Sequence, residues 1–239
     1  MLTKIALETP LSCPDLGFRY GDYLFVLGHL WSNPVYREAV LYWQRTGKPV
    51  YLDNSAFELS TSISNTDYFQ VIGELRPDII VVPDAVGQFK ETVRLARSFF
   101  TEISGSAFMR HRFMIVPQGK DNRERMKCYH ALKGMGFPFH MIGLPRHAYP
   151  YRVELLYNLM KFTNKSNMLF HFLGVPDPKE LNGISPLLHS LDTSWVAKDA
   201  IGKGGFDSLN FEADEVEESA FLSSLEKLVN ALQEGDEGE

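Results

Sequence analysis

Ser190-Leu-Asp-Thr-Ser-Trp195 places a carboxylate, Asp192, at the close of the apolar run 187–191. The same arrangement returns at intervals of about one strand-plus-helix unit: 50–52 ends in Asp53, 79–83 in Asp84 and 113–117 in Gln118. A run such as Ile79-Ile-Val-Val-Pro83, apolar at successive positions, suits a parallel strand covered on both faces. In a parallel βα barrel the C-terminal ends of the strands surround one mouth, so residues far apart in sequence converge there on one ligand. The alternation favours a single α/β domain of the (β/α)8 TIM type over an open doubly wound sheet.

Working outward, strands are expected over 4–8, 23–27, 50–53, 79–83, 113–117, 139–144, 168–173 and 187–192. Asn33 before Pro34 reads as a helix start that Gly47 closes, with Val35, Ala39, Val40 and Trp43 on one face. Further helices are expected near 68–75 behind the Ser/Thr/Asn-rich loop 60–66, and over 88–100. Another follows Asp121, ending at Gly134, and the next covers 151–162. Asp177-Pro178 opens a short helix, and the last helix covers 214–232 with Glu215, Glu217 and Glu218 in its first turns. The connection from Glu8 to Tyr23 carries no helix signal. One domain is expected over 1–233, with 234–239 a disordered acidic tail.

Composition narrows the class. The chain has 239 residues, 44% hydrophobic and 23% charged, enough for a large core. No apolar run reaches the ~20 residues that span a bilayer, and the N-terminus lacks the pattern of a signal peptide, so a cytoplasmic protein without a membrane partner is expected. Cys13 and Cys128 form no zinc or disulfide motif and read as incidental thiols. The net charge of −6 is unevenly spread: ten acids and one base lie from Phe211 onward, leaving 20 acids against 23 bases before it. A mildly basic body can hold a phosphate backbone locally.

An Asp after a strand is commonly a turn former or helix cap; here several occur in succession on a fold that makes them converge. Asp53 and Asp192 are expected to face each other across the mouth with room for a flat ligand. Two carboxylates around one ligand suit displacement at a sugar carbon, one attacking and the other moving protons. Asp84 and Gln118 supply acceptors and donors for a purine edge, and Gly143 and Gly174 allow close approach of backbone amides. Arg146, His147, Lys198 and Lys203 fall in loops after strands, as phosphate contacts or ordinary surface. His29 and His171 read as packing or orienting residues, and Trp195 as a stacking or rim residue. No Walker loop, Gly-x-Gly-x-x-Gly or His-Glu-x-x-His pattern occurs.

Leu52-Asp-Asn-Ser-Ala-Phe-Glu58 resembles the Asp-Ser-Gly-Gly-Phe-Gln element of the tRNA-guanine transglycosylases. Val116-Pro-Gln-Gly119 resembles their Gln-Gly strand end, and Met141-Ile-Gly-Leu144 their Gly-Gly-Leu segment. His171-Phe-Leu-Gly-Val-Pro-Asp177 is similar to their Leu-Met-Gly-Val-Gly run, and Ser190-Leu-Asp192 to the Phe-Asp that carries the nucleophile. These matches fall in family order along most of the chain. The resemblance implies Asp192 as nucleophile, Asp53 as general acid/base, and Asp84, Gln118 and the backbone at Gly143 and Leu144 as the purine site. Asn54-Ser55-Ala56 departs from the family's Ser-Gly-Gly, and the cysteines of the zinc subdomain of the tRNA enzymes are absent. The sequence is in this respect most similar to the short phage-type DpdA transglycosylases, which insert 7-deazaguanines into DNA. That likeness implies DNA and a free 7-deazaguanine base as partners, with tRNA as the alternative polymer, and neither metal nor cofactor. A non-catalytic nucleoside- or DNA-binding barrel is the alternative outside enzymes.

Overall fold

The computed structural model describes residues 3–163, 168–204 and 209–234. Strands and helices alternate in the order β1 (Lys4–Leu7), α1 (Pro14–Tyr20), β2 (Leu24–Leu27), α2 (Pro34–Gln44), β3 (Val50–Asp53), α3 (Ala56–Leu59), α4 (Asn65–Leu75) and β4 (Ile79–Val81). Then come α5 (Phe89–Ile103), β5 (Arg112–Ile115), α6 (Asn122–Gly134), β6 (Met141–Leu144), α7 (Arg152–Phe162), β7 (Leu169–Phe172), β8 (Ser190–Thr193), α8 (Trp195–Ala200) and α9 (Glu218–Glu234). The strands form one eight-stranded sheet ordered β1-β8-β7-β6-β5-β4-β3-β2. β1 pairs with β8, and β3, β4, β5 and β6 pair in succession, all in parallel. This is the (β/α)8 TIM-type fold that the alternation predicts.

The chain packs into two compact units, one of Met1–Phe25, Asn33–Pro49 and Phe172–Glu239, the other of Val26–Ser32 and Val50–His171. In the first unit Asn33 caps α2 by accepting from the amides of Val35 and Tyr36. The face that α2 buries is that of Tyr36 and Val40, while Val35, grouped with Val40 in the sequence reading, is exposed. α9 buries Phe221, Ser224 and Leu228 at helical spacing. Ser224 Oγ and Lys227 Nζ both donate to Asp199 Oδ2 at 2.7 Å, tying α9 to α8. α9 starts at Glu218 rather than 214, because Asp214 belongs to the preceding turn: its carboxylate accepts from Asn210 N and pairs with Lys203 Nζ. β8 is likewise shorter than the apolar run, since Ser185–Leu187 forms a turn of 3-10 helix around Pro186. α9 ends at Glu234, one residue into the expected tail, and 235–239 lie outside the described residues.

The second unit is rich in aromatic packing. α5 buries Thr92, Ala96, Phe99, Phe100 and Ile103 along one face. Phe100 stacks on Phe137 at 4.4 Å and meets Phe113 of β5 edge-on at 5.3 Å. Asp121 caps α6 through Glu124 N, and Ser64 caps α4 through Asp67 N. Among the described residues no helix is long and apolar enough to cross a membrane.

Helix α1 corrects the sequence reading of 8–23. Pro14 and Gly17 look like breakers, yet Pro14 occupies the first turn, where its missing N–H costs nothing. Gly17 lets the helix press on β1: a Cβ there would sit 2.2 Å from Leu7 O and 3.0 Å from Thr9 Oγ1. Alanine at this site gains about 1 kcal/mol of helix propensity but cannot fit against a strand carbonyl. Gly17→Ala is therefore expected to destabilise the protein by about 1–3 kcal/mol, read as a lower urea midpoint; an unchanged or raised midpoint contradicts this packing.

Candidate active site

In the second unit β3, β4 and β5 deliver Asp53, Asp84 and Gln118 to their C-terminal ends. Asp84 is 3% exposed. Its Oδ1 accepts from Asn54 Nδ2 at 2.8 Å, and its Oδ2 accepts from Gln118 Nε2. Asn54 Nδ2 also donates to Val82 O at 3.0 Å, and Gln118 Oε1 accepts from Gly87 N at 3.1 Å. Two carboxamides thus solvate the carboxylate, and each is oriented by a backbone group. Loop 60–66 lies over them, with Ser62 N donating to Asp84 O and Ile63 N to Asn54 O, both at 3.1 Å. Below, the Tyr68 hydroxyl sits 3.0 Å from Leu52 O and 2.8 Å from Val81 O, sharing its proton between β3 and β4. Burial, and then the carboxylates of Asp53 and Asp84, push the Tyr68 phenol well above its ordinary range.

Asp53 is half-buried and accepts from Ser55 N at 2.6 Å, while Asn54 Oδ1 accepts from Ala56 N at 2.8 Å. These side-chain turns carry Ser55 into the left-handed region, φ 62°. Ser55 Oγ accepts from His29 N at 3.1 Å, and Gly28 lies so close to Asp53 O that a Cβ would approach to 2.9 Å. His29 itself is held neutral-leaning by burial, and its Nδ1 has no hydrogen-bond partner among the described residues. His171 is fully buried, its ring 6.2 Å from that of Tyr51. Gly143 and Leu144 are buried in β6, and the Leu144 carbonyl accepts from Arg152 Nη1 at 3.4 Å.

In the first unit Asp192 is 2% exposed at the end of β8. Gly174 N donates to its Oδ2 at 2.9 Å, and Val175 N to its backbone carbonyl at 3.0 Å. Gly174, at φ 59°, thus spends its amide on holding the carboxylate, where the sequence suggests a contact with a base. Thr193 Oγ1 donates to Val175 O at 2.6 Å and accepts from Trp195 N at 2.9 Å, and Tyr23 OH donates to Leu191 O at 2.7 Å. Asp192 therefore sits on a strand end fixed by several hydrogen bonds. Trp195 is partly exposed.

The expected phosphate contacts divide. Arg146 is partly exposed, its guanidinium 5.4 Å from the Phe57 ring centroid. Lys198 lies in helix α8, not in a loop, and is 1% exposed, which removes it as a surface cation. Lys203 is ion-paired with Asp214 at 2.7 Å. His147 turns inward: burial, then the Arg125 charge, push its imidazole down to about 4, so it is neutral at pH 7 and no phosphate anchor. Arg125, which donates to His147 O at 3.3 Å, and Arg152 are themselves buried. Sequence reading missed both, together with Asn54. For Asn54 a signal was present, a polar residue directly after strand β3. Burial pushes the Cys128 thiol up to about 12, as befits a packing residue. Among the described residues no group of three or more His, Cys, Asp or Glu could hold a metal ion.

No protein-family model and no curated protein matches the sequence. Among solved structures, N-acetylneuraminate lyase from Mycoplasma synoviae is similar over 97% of this chain and 78% of that one, at 14% identity and a TM-score of 0.50. At that identity the likeness is one of fold.

Asp84 gives the site a pH signature. Burial raises its carboxyl from 3.8 to about 6, with the amides of Gln118 and Asn54 pulling the other way. Below pH ~4 it is protonated whether the chain is folded or not. As pH rises through about 4 to 6 the folded chain keeps a proton that the unfolded chain releases, so stability falls, by on the order of 3 kcal/mol once both forms are ionised. Urea unfolding across pH 4 to 7 is expected to show this loss in the wild type relative to Asp84→Asn; parallel profiles contradict it.

Proposed function

We propose that this chain is a base-exchange transglycosylase that replaces guanine in DNA with a 7-deazaguanine through a covalent aspartyl-sugar intermediate. The observation that carries this reading is the enclosed set of Asp84, Gln118 and Asn54 at the ends of three adjacent strands. Guanine offers two N–H donors beside a carbonyl oxygen, and a carboxylate next to a carboxamide is the complementary pair. Each Asp84 oxygen accepts one hydrogen bond from an amide and retains a second lone pair for such a base. Asp192, its Oδ2 held by Gly174 N at the end of a strand fixed by several hydrogen bonds, supports the reading.

In the first step an Asp192 oxygen forms a bond to the anomeric carbon as the bond to guanine N9 breaks. The electron pair goes to the purine, whose ring position 7 takes the proton of the Asp53 carboxyl, so that guanine leaves neutral and Asp53 becomes a carboxylate. In the second step the incoming base gives its N9 proton to the Asp53 carboxylate, N9 bonds to the anomeric carbon, and Asp192 departs. A 7-deazaguanine has carbon at position 7 and leaves far less readily, so exchange runs one way. The base has to leave the helical stack before reaction, at a cost of about a few kcal/mol, and mismatched or unpaired guanines are favoured. The resemblance of the sequence motifs to those of the short phage-type enzymes supports DNA over tRNA.

Incubation with radiolabelled 7-cyano-7-deazaguanine and either guanine-containing DNA or bulk tRNA tests the reading. Label is expected in DNA, and Asp192→Asn is expected to lower its incorporation by at least about 10³-fold. Label in tRNA alone overturns the polymer assignment. Label in neither favours a binding module, and full activity of Asp192→Asn removes the nucleophile.

A further inference from the structure

Three loops of the second unit leave the C-terminal ends of β3, β5 and β6, the same strand ends that carry Asp53 and Gln118. They are tied to one another. Arg146, after β6, lies over the ring of Phe57, after β3, at 5.4 Å. Asn122 Nδ2, after β5, donates to Tyr151 O at 2.9 Å, and Arg125 Nη2 to His147 O at 3.3 Å. These loops hold three rings out to water: Phe57 is 54%, Tyr149 39% and Tyr151 64% exposed. Exposed rings grouped on linked loops mark a contact surface more than a packing defect.

The charges around the rings favour a polyanion. Lys120, before α6, and Arg123, in its first turn beside the Asn122 that bonds to Tyr151, are exposed, and Arg146 is partly exposed. The acids at the start of α6 are turned to the local backbone: Asp121 accepts from Glu124 N at 2.8 Å, and Glu124 from Lys120 N at 3.0 Å. Glu58, beside Phe57, and Glu154, three residues after Tyr151, are exposed acids of the same segments. Aromatic faces interleaved with cations are how proteins hold unpaired nucleic-acid strands, the rings stacking on bases and the cations following the backbone. A base drawn out of a duplex leaves unstacked neighbours that need such partners.

We propose that Tyr149, Tyr151 and the Arg146–Phe57 pair form a stacking platform for the unpaired DNA strand that flanks the reacting nucleotide. The platform rests on the proposed base exchange for its role but not for its binding. Fluorescence anisotropy with a labelled single-stranded DNA that lacks guanine measures it apart from chemistry. Tyr149→Ala/Tyr151→Ala is expected to weaken binding about tenfold or more. Tyr149→Phe/Tyr151→Phe, which keeps the rings, should stay within about twofold. Tyr42→Ala, at an exposed tyrosine of α2 in the other unit, should bind like wild type, and matching thermal melts check that the variants are folded. Equal affinity of the double alanine variant and wild type, no binding by wild type, or a tenfold preference for the matching RNA overturns the platform. So does a change in oligomeric state in the alanine variant, which would make the patch a protein contact. Binding that follows the expected pattern without base exchange in wild type leaves the platform and removes the activity; exchange with unaltered affinity in the alanine variant does the reverse.

Discussion

A carboxylate enclosed at the ends of three apolar strands must be solvated by the protein, and Asp84 is the group on which the second unit organises this. Left unpaired, a buried carboxylate would neutralise itself or unfold its surroundings. Here the amides of Asn54 and Gln118 each approach one oxygen, and each amide is oriented in turn by the backbone at Val82 or Gly87. Loop 60–66 closes over the set by bonding to the carbonyls of Asp84 and Asn54. The carboxyl nevertheless stays near 6, well above its ordinary value, so the amides offset only part of the desolvation. A site that holds such a group in one orientation against that cost is ordered for recognition before any ligand arrives.

The same accounting explains the strained turn after β3. Ser55 keeps a left-handed backbone without being glycine because three hydrogen bonds fix it: Asp53 to its own amide, Asn54 to the amide of Ala56, and its hydroxyl to the amide of His29. Strain of this kind costs on the order of 1–3 kcal/mol and persists only where neighbours over-determine it. Its effect is to aim Asp53 and Asn54 in two directions from adjacent positions, one to the turn and the other into the carboxylate network. Around β5 and β6 the electrostatics run the opposite way. Burial, then the charges of Arg125 and Arg152, keep His147 neutral, while the neighbouring Arg146 is partly exposed over the ring of Phe57.

Much of the fold was legible because a parallel strand covered on both faces leaves an apolar run that few other elements produce. The strand over 50–53 is read to the residue, and Asp53, Asp84, Gln118 and Asp192 all stand at or just past strand ends. What the sequence hid depended on neighbours distant in the chain. Gly17 looks like a breaker until Leu7 O is seen against it. Lys198 looks solvated until the short helix α8 turns it inward, and Lys203 until Asp214 takes its charge. His147 is held neutral by burial and then by Arg125, 22 positions away, and the bond between Asp84 and Gln118 spans 34 positions. Strand periodicity gives the end on which a residue lies; it does not give the partner its side chain finds there.

The central claim is that the carboxylate held by Gly174 attacks the sugar. Incubating the protein with a guanine-containing oligonucleotide in the absence of any incoming base, quenching in acid and mapping the cross-linked peptide by mass spectrometry reads the attacking atom directly. The account predicts a deoxyribose-linked adduct on the peptide that contains Asp192, at that residue. An adduct on Asp53, or unmodified Asp192 under conditions where guanine is released, contradicts it.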